Sequence, residues 1–309
     1  MTIIVVMERV STDAVKIAIA SGKGGTGKTT LATNLAALIA EKQEIALVDL
    51  DVEEPNSGLF LKAEQVHKES LMKQVPQWDT DKCTLCGYCT SICQFHAVIQ
   101  LDPSILIFPE LCHSCYACSE LCPEGALPMA GRKTGDLRES QAGKLHFIEC
   151  RLDIGEEQAV PVIAYTRKYA SKYDHLPIIF YDAPPGTSCP LIETIRDTDY
   201  VILVTEPTPF GLHDLSLAVE TVRMLRIPFG IVLNRFGIGN EDVHEYCRHE
   251  DIPILACIPN DRRIAQLYSR GELVYRYVPE FRAALEPLCD FFLDHNKKAQ
   301  DERDRDDIG

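Results

Sequence analysis

Residues 15–30 read VKIAIASGKGGTGKTT. The first six, Val15 to Ala20, form a short run of β type. Ser21 to Gly27 is rich in glycine, and from Thr29 to Lys42 the residues Leu31, Leu35, Leu38 and Ile39 fall on one stripe at helical spacing. Gly22 to Thr29 fits G-x-x-x-x-G-K-[ST], the phosphate-binding loop, and it sits between strand and helix as that motif requires. Glycines let backbone N–H groups turn toward phosphate, and the helix N-terminus adds positive potential. Gly22, Lys23, Gly24, Gly25, Thr26, Gly27 and Thr30 are therefore expected to cradle a nucleotide, with Lys28 on the β- and γ-phosphates and Thr29 on Mg²⁺.

Working outward, Ile45 to Val48 is a second apolar strand ending at Asp49, and Ile178–Tyr181, Val201–Thr205, Gly230–Leu233 and Ile254–Ile258 are further short apolar runs. Helical patterns such as Leu212–Leu225 separate several of them. Continuous apolar strands alternating with helices predict an α/β fold, a mostly parallel, doubly wound sheet covered on both faces. Ligands bind such sheets at the carboxyl ends of the strands. Asp49 and Asp51 (VDLDVEEPN) and Asp182 (IIFYDAPPG) lie at that edge, and a carboxylate there can hold Mg²⁺ through water. Asn234, in VLNR, also ends a strand, where its amide could pair with adenine or simply form a turn.

Residues 78–130 break the alternation. Of thirteen cysteines in 309 residues, eight lie between Cys83 and Cys122. Cys83, Cys86, Cys89 and Cys93 are spaced C-x2-C-x2-C-x3-C, and Cys112, Cys115, Cys118 and Cys122 repeat that spacing, with Pro123 after the last. This is the bacterial two-cluster ferredoxin pattern, in which each fourth cysteine ligates the other cluster. It predicts one [4Fe-4S] site from Cys83, Cys86, Cys89 and Cys122, and a second from Cys93, Cys112, Cys115 and Cys118. Zinc knuckles contribute ligands two by two, which fits this spacing less well. Gln94 stands after Cys93 where the second run has proline.

The expected division is 1–77 and 131–295 for the nucleotide-binding domain, 78–130 for a small inserted α+β ferredoxin domain, and 296–309 for an acidic, disordered tail. Gly131–Gln141 reads as polar loop, and Met1–Met7 as a short strand or a start-site artefact. The net charge of −15 gives no reason to expect nucleic acid or anionic lipid as partner, and no apolar run approaches the ~18 residues of a membrane span. A dense cysteine cluster read as metal ligation fits a reducing, cytoplasmic setting.

KGGTGKTT, DLDVEEPN, the eight cysteines, DAPPGTSCP, TEPTPFGLHD and IPNDRRIA together resemble the MinD-superfamily P-loop ATPases that contain an inserted ferredoxin domain, from about Val15 to Val274. The resemblance extends to the Mrp, ParA and nitrogenase iron-protein ATPases. It implies an ATP-stabilised homodimer in which Lys23 reaches the partner's nucleotide. It implies that Asp51 orients the attacking water, that Asp49 supports it at the magnesium, that Asp182 is the Walker B acid, and that Asn234 meets adenine. Cys189 stands at the offset from Asp182 at which the nitrogenase iron protein has a cluster-ligating cysteine. It is a candidate third metal site or redox thiol, against the plainer reading of a packed free cysteine.

Three function classes follow. An ATP-driven electron-transfer or metallocofactor-assembly factor, acting on an unidentified protein partner, accounts for both halves of the chain. A MinD- or ParA-like positioning ATPase would want a membrane helix or basic surface, and the chain ends instead in DERDRDD. A cobyrinate-type synthase would need a glutaminase domain for which no length remains.

Overall fold

The computed structural model describes the backbone of residues 14–306 and the side chains of 14–293; the expectation for Met1–Met7 lies outside the described residues. In chain order the elements are β1 (Val15–Ala20), α1 (Lys28–Ala40), β2 (Ile45–Asp49), α2 (Gly58–Leu61), β3 (Glu64–Pro76), α3 (Tyr88–Ile92), β4 (Val98–Leu101), β5 (Ser104–Ile107), α4 (Ala117–Glu120), β6 (Met129–Ala142) and β7 (Leu145–Leu152). They continue with α5 (Ala159–Ala170), β8 (Ile178–Asp182), α6 (Cys189–Ile195), β9 (Tyr200–Thr205), α7 (Pro209–Met224), β10 (Phe229–Phe236), α8 (Asp242–His249), β11 (Ile254–Pro259), α9 (Arg262–Tyr268) and α10 (Pro279–Asp306).

The chain divides into two compact units. Among the described residues the first comprises 14–68, 138–151 and 160–306. Its sheet runs β11-β10-β9-β1-β8-β2-β7, followed by β6 and β3, the strands in which the chain leaves this unit and returns. β1 pairs in parallel with β8 and β9, β2 with β8 and β7, and β10 with β9 and β11. All five residues of β2 and of β8 are buried, which explains their unbroken apolar reading. The register sets Asp49 opposite Asp182, and Asp182 opposite Ile19, so both carboxylates stand beside the loop that leaves β1.

The first core layer packs Leu31, Leu35 and Ile39 of α1 with Ile17 and Ile19 of β1, Phe180 of β8, and Phe281, Leu285 and Phe292 of α10. Helix α1 is fixed at its centre by a polar contact: buried Asn34 accepts from the Tyr275 N–H at 3.0 Å and donates to the Thr30 carbonyl at 2.8 Å. The loop-bearing helix therefore has little freedom to shift.

The second unit comprises 69–137 and 152–159 and is wider than the cysteine-rich stretch. Its small core of Val98, Ile105, Cys118 and Leu127 is covered in part by Trp78. Residues 152–159 join it through polar contacts. Glu156, almost wholly buried, pairs with Lys73 at 2.8 Å and Arg132 at 3.1 Å, and Gln158 donates to the carbonyls of Glu110 and Cys112.

Two expectations are corrected. Gly131–Gln141 is not loop but lies within strand β6, whose polar residues are used: Thr134 and Glu139 are buried, and Lys133 pairs with Asp136 and Asp153. The segment after residue 295, expected as disordered, continues α10 as far as Asp306. The sequence there sets Lys297 and Lys298 four residues before Asp301 and Glu302, a spacing that supports helix.

Leu35 is fully buried at the middle of α1. Leu35→Ala is expected to lower the unfolding free energy by about 2–5 kcal/mol, read from urea midpoints at unchanged m-value.

Candidate nucleotide and cysteine sites

The loop between β1 and α1 has the backbone that its glycines allow. Gly25 and Gly27 take φ of 79° and 95°, and a Cβ on Gly27 would stand 2.2 Å from Asn234 Nδ2. Only glycine fits that position. Lys28, the first residue of α1, is buried, and its Nζ lies 3.1 Å from Asp182 Oδ1. Burial alone would lower the Lys28 pKa, but Asp182, Asp51 and Asp49 outweigh it and hold it above its ordinary value.

The carboxylates differ in role. Asp49 and Asp182 are both fully buried and neither borders the open cleft, but both oxygens of Asp49 are committed to backbone: Oδ1 accepts from the Asp51 N–H at 3.0 Å, and Oδ2 from Asn56 and Ser57 at 3.0 and 2.9 Å. Its pKa is pushed up first by burial and then by Asp182. Expected at the magnesium, Asp49 is instead the anchor of the 51–57 loop. Asp182 accepts from Lys28 on Oδ1 and from the Ser57 hydroxyl on Oδ2, at 3.0 Å. Asp51 borders the cleft, and burial, opposed by Lys28 and reinforced by Asp182, raises its pKa to about 6.

The cleft has a volume of about 440 Å³, and its walls include Thr26, Lys28, Thr29, Asp51, Asn234 and Tyr268. That is ample for a nucleotide. The Thr26 hydroxyl is buried without a partner, a donor suited to a phosphate oxygen. Asn234 is at the cleft, but its Nδ2 is committed to the Thr26 carbonyl at 2.7 Å, so it braces the loop. Lys23 is half-exposed, 3.8 Å from Asp214 of α7. Cys189 is exposed at the start of α6, and no group of three or more His, Cys, Asp or Glu side chains among the described residues is arranged around a single metal ion.

Sequence reasoning missed Ser57, and it assigned no role to Asn260, Asp261 and Tyr268, which wall the cleft from the β11–α9 segment. IPND ending an apolar strand at the carboxyl edge was the available signal for the latter three.

In the second unit the eight thiols line two hollows. One is walled by Cys83, Cys86, Cys89 and Cys122, the other by Cys93, Cys112, Cys115 and Cys118. The crossover has a local cause. The two runs share one backbone course 29 residues apart: Leu85 and Ser114 take φ of 54° and 53°, Gly87 and Tyr116 76° and 64°, His96 and Gly125 52° and 59°. The Ala97 N–H donates to Cys93 Sγ and the Ala126 N–H to Cys122 Sγ, each at 3.3 Å. Amide donors of this kind stabilise charge on cluster-bound sulfur. Burial, with the neighbouring cysteines, pushes the Cys118 thiol up to about 11.

A strand–loop–helix phosphate site at the carboxyl edge of a parallel sheet defines a P-loop nucleotide-binding protein. The chain belongs to the CbiA family, the CobQ/CobB/MinD/ParA nucleotide binding domain, which matches residues 17–274. It is 29% identical to an uncharacterised protein of Methanocaldococcus jannaschii over 90% of this chain and 97% of that one. It is 23% identical to the iron-sulfur cluster carrier protein of Aquifex aeolicus, over 87% and 64%. Among solved structures, the cell division ATPase MinD of Pyrococcus furiosus covers 91% of this chain and 99% of its own at TM-score 0.57 and 20% identity, a likeness of fold. No helix among the described residues is long and apolar enough to cross a membrane.

The raised Asp51 pKa gives a signed expectation. Between the unfolded value near 3.8 and the folded value of about 6 the folded chain binds the extra proton, so stability is lost as pH rises through that window. Without nucleotide, Asp51→Asn is expected to melt higher than wild type at pH 7.5, with the gap closing toward pH 4. A gap independent of pH would contradict the assignment.

Proposed function

We propose that this protein is an ATP-binding and ATP-hydrolysing iron–sulfur protein, in which a nucleotide-driven dimer switch is coupled to electron transfer or to metallocofactor assembly with a protein partner. The observation that carries the reading is the four-and-four partition of the cysteines, with Cys122 joining the first run and Cys93 the second, in a chain that also has the complete phosphate loop. When bound, each [4Fe-4S] cluster supplies a one-electron redox centre. Free thiols of this kind need a reducing compartment, which favours the cytoplasm.

On the nucleotide side, Lys28 receives the β- and γ-phosphates and leaves Asp182 to do so. Thr29 and Asp182 would hold magnesium, which would neutralise phosphate charge there. Asp51 orients the attacking water, and Asp49 keeps Asp51 in place through the 51–57 loop. Lys23, held loosely by Asp214, is free to reach a partner's nucleotide. The carrier name of the Aquifex aeolicus relative supports the assembly branch, and four cysteines lining each hollow support the electron-transfer branch. A positioning ATPase needs neither hollow.

Two measurements test this. Anaerobic reconstitution is expected to give about eight irons with matching sulfide per chain; tightly bound zinc without sulfide would overturn it. Mg²⁺-dependent ATP turnover is expected to be lost in Lys28→Ala, with folding checked by circular dichroism, while Asp51→Ala keeps nucleotide binding and forms a dimer with ATP by light scattering. Equal turnover in wild type and Lys28→Ala would reject the phosphate site.

A further inference from the structure

The two halves of the cysteine repeat share a backbone but not their rims. Because each hollow borrows its fourth cysteine from the other run, it also borrows that cysteine's neighbours. The first hollow is rimmed by Thr84 and, through the Cys122 turn, by Glu124. The equivalent positions of the second are His113 and, through the Cys93 turn, Phe95. Phe95 and His113 stack, with ring centroids 3.8 Å apart and planes 16° apart. Threonine and glutamate cannot form such a plate, and both attract water.

Thiol burial follows the same division. Two thiols of the second hollow, Cys112 and Cys118, are 8% and 9% exposed, with Cys93 half-buried and Cys115 exposed, whereas none of the four thiols of the first is buried. The first hollow has an aromatic of its own, Tyr88, about as exposed as Phe95 (47% against 41%), but it stacks on no other ring among the described residues.

Resting on the cluster reading above, we infer that the two sites are unequal: the Phe95–His113 stack covers one side of the Cys93/Cys112/Cys115/Cys118 site, and the Cys83/Cys86/Cys89/Cys122 site is the more solvent-facing one, where iron is gained and lost faster. The physical reason is access. Chelator or oxidant must reach iron through the rim, and a stacked pair of rings narrows the path that a hydroxyl and a carboxylate leave wet. Phe95 is a positioning residue here, acting on the site only by covering it.

The test is anaerobic iron release from the fully reconstituted chain to a ferrous chelator, followed by absorbance. Wild type is expected to lose its iron in two phases of about four atoms each, separated by roughly tenfold in rate, the scale of effects from groups surrounding a metal site. Cys115→Ser should retain only the fast phase and Cys86→Ser only the slow one. Phe95→Ala should accelerate the slow phase and leave the fast one unchanged, and Phe95→Tyr should restore the slow phase. A single phase of about eight irons in wild type, a slow phase that survives in Cys115→Ser, or indifference to Phe95→Ala would each overturn the inequality while leaving the clusters in place. Failure to reach about eight irons before the chelator is added would overturn the cluster reading itself.

Discussion

Asp49 and Asp182 lie fully buried side by side at the ends of adjacent parallel strands, and the nearest buried cation is the single ammonium of Lys28. Two carboxylates and one ammonium leave excess negative charge where solvent cannot reach, which is why Asp49 is pushed up and Lys28 is held charged. The arrangement persists because every oxygen is spoken for: three backbone N–H groups on Asp49, Lys28 and the Ser57 hydroxyl on Asp182. Removing one member of such a buried set costs about 3–5 kcal/mol. A divalent cation beside Asp182 would correct the imbalance, and phosphates would then take Lys28. On the proposed function metal and nucleotide would be drawn in together, and the 51–57 loop, tied to both carboxylates through Ser57, is the part of the chain that would respond.

The second unit rests on a different constraint, repetition. One backbone course used twice, with left-handed residues at the same three places, presents three cysteines from one turn and a fourth from the other. The pairing then needs no long-range recognition beyond a small core around Cys118. Side chains are free to differ where the backbone does not, and that freedom gives the two hollows their different rims.

Much of this was legible in the sequence, for identifiable reasons. Ile17–Ala20 and Ile45–Val48 are buried on both faces, so their apolar runs are unbroken and bounded. The phosphate loop and the cysteine spacing are local patterns, and local patterns survive without tertiary information. What was illegible depends on distant partners. β6 reads as loop because its polar residues are satisfied by Asp153, Leu71 and others far along the chain. Glu156 and Gln158 belong to the second unit only through Lys73, Arg132 and two carbonyls. Asp49 and Asp51 look alike in DLDVEEPN, and only the three-dimensional bonds separate anchor from cleft residue. Ser57 carries no motif at all; its hydroxyl matters because the loop returns it to Asp182.

The central claim is that nucleotide and clusters work as one device. Its most direct measurement is a pair of anaerobic redox titrations of the reconstituted protein, followed by electron paramagnetic resonance, one with Mg·ATP on the hydrolysis-deficient Asp51→Ala chain and one with Mg·ADP. The account predicts a shift of at least one midpoint potential between the two, or a change in the rate at which an external oxidant takes the electron. Superimposable titrations with equal oxidation rates would contradict it, leaving an ATPase and an iron–sulfur unit that share a chain and nothing more.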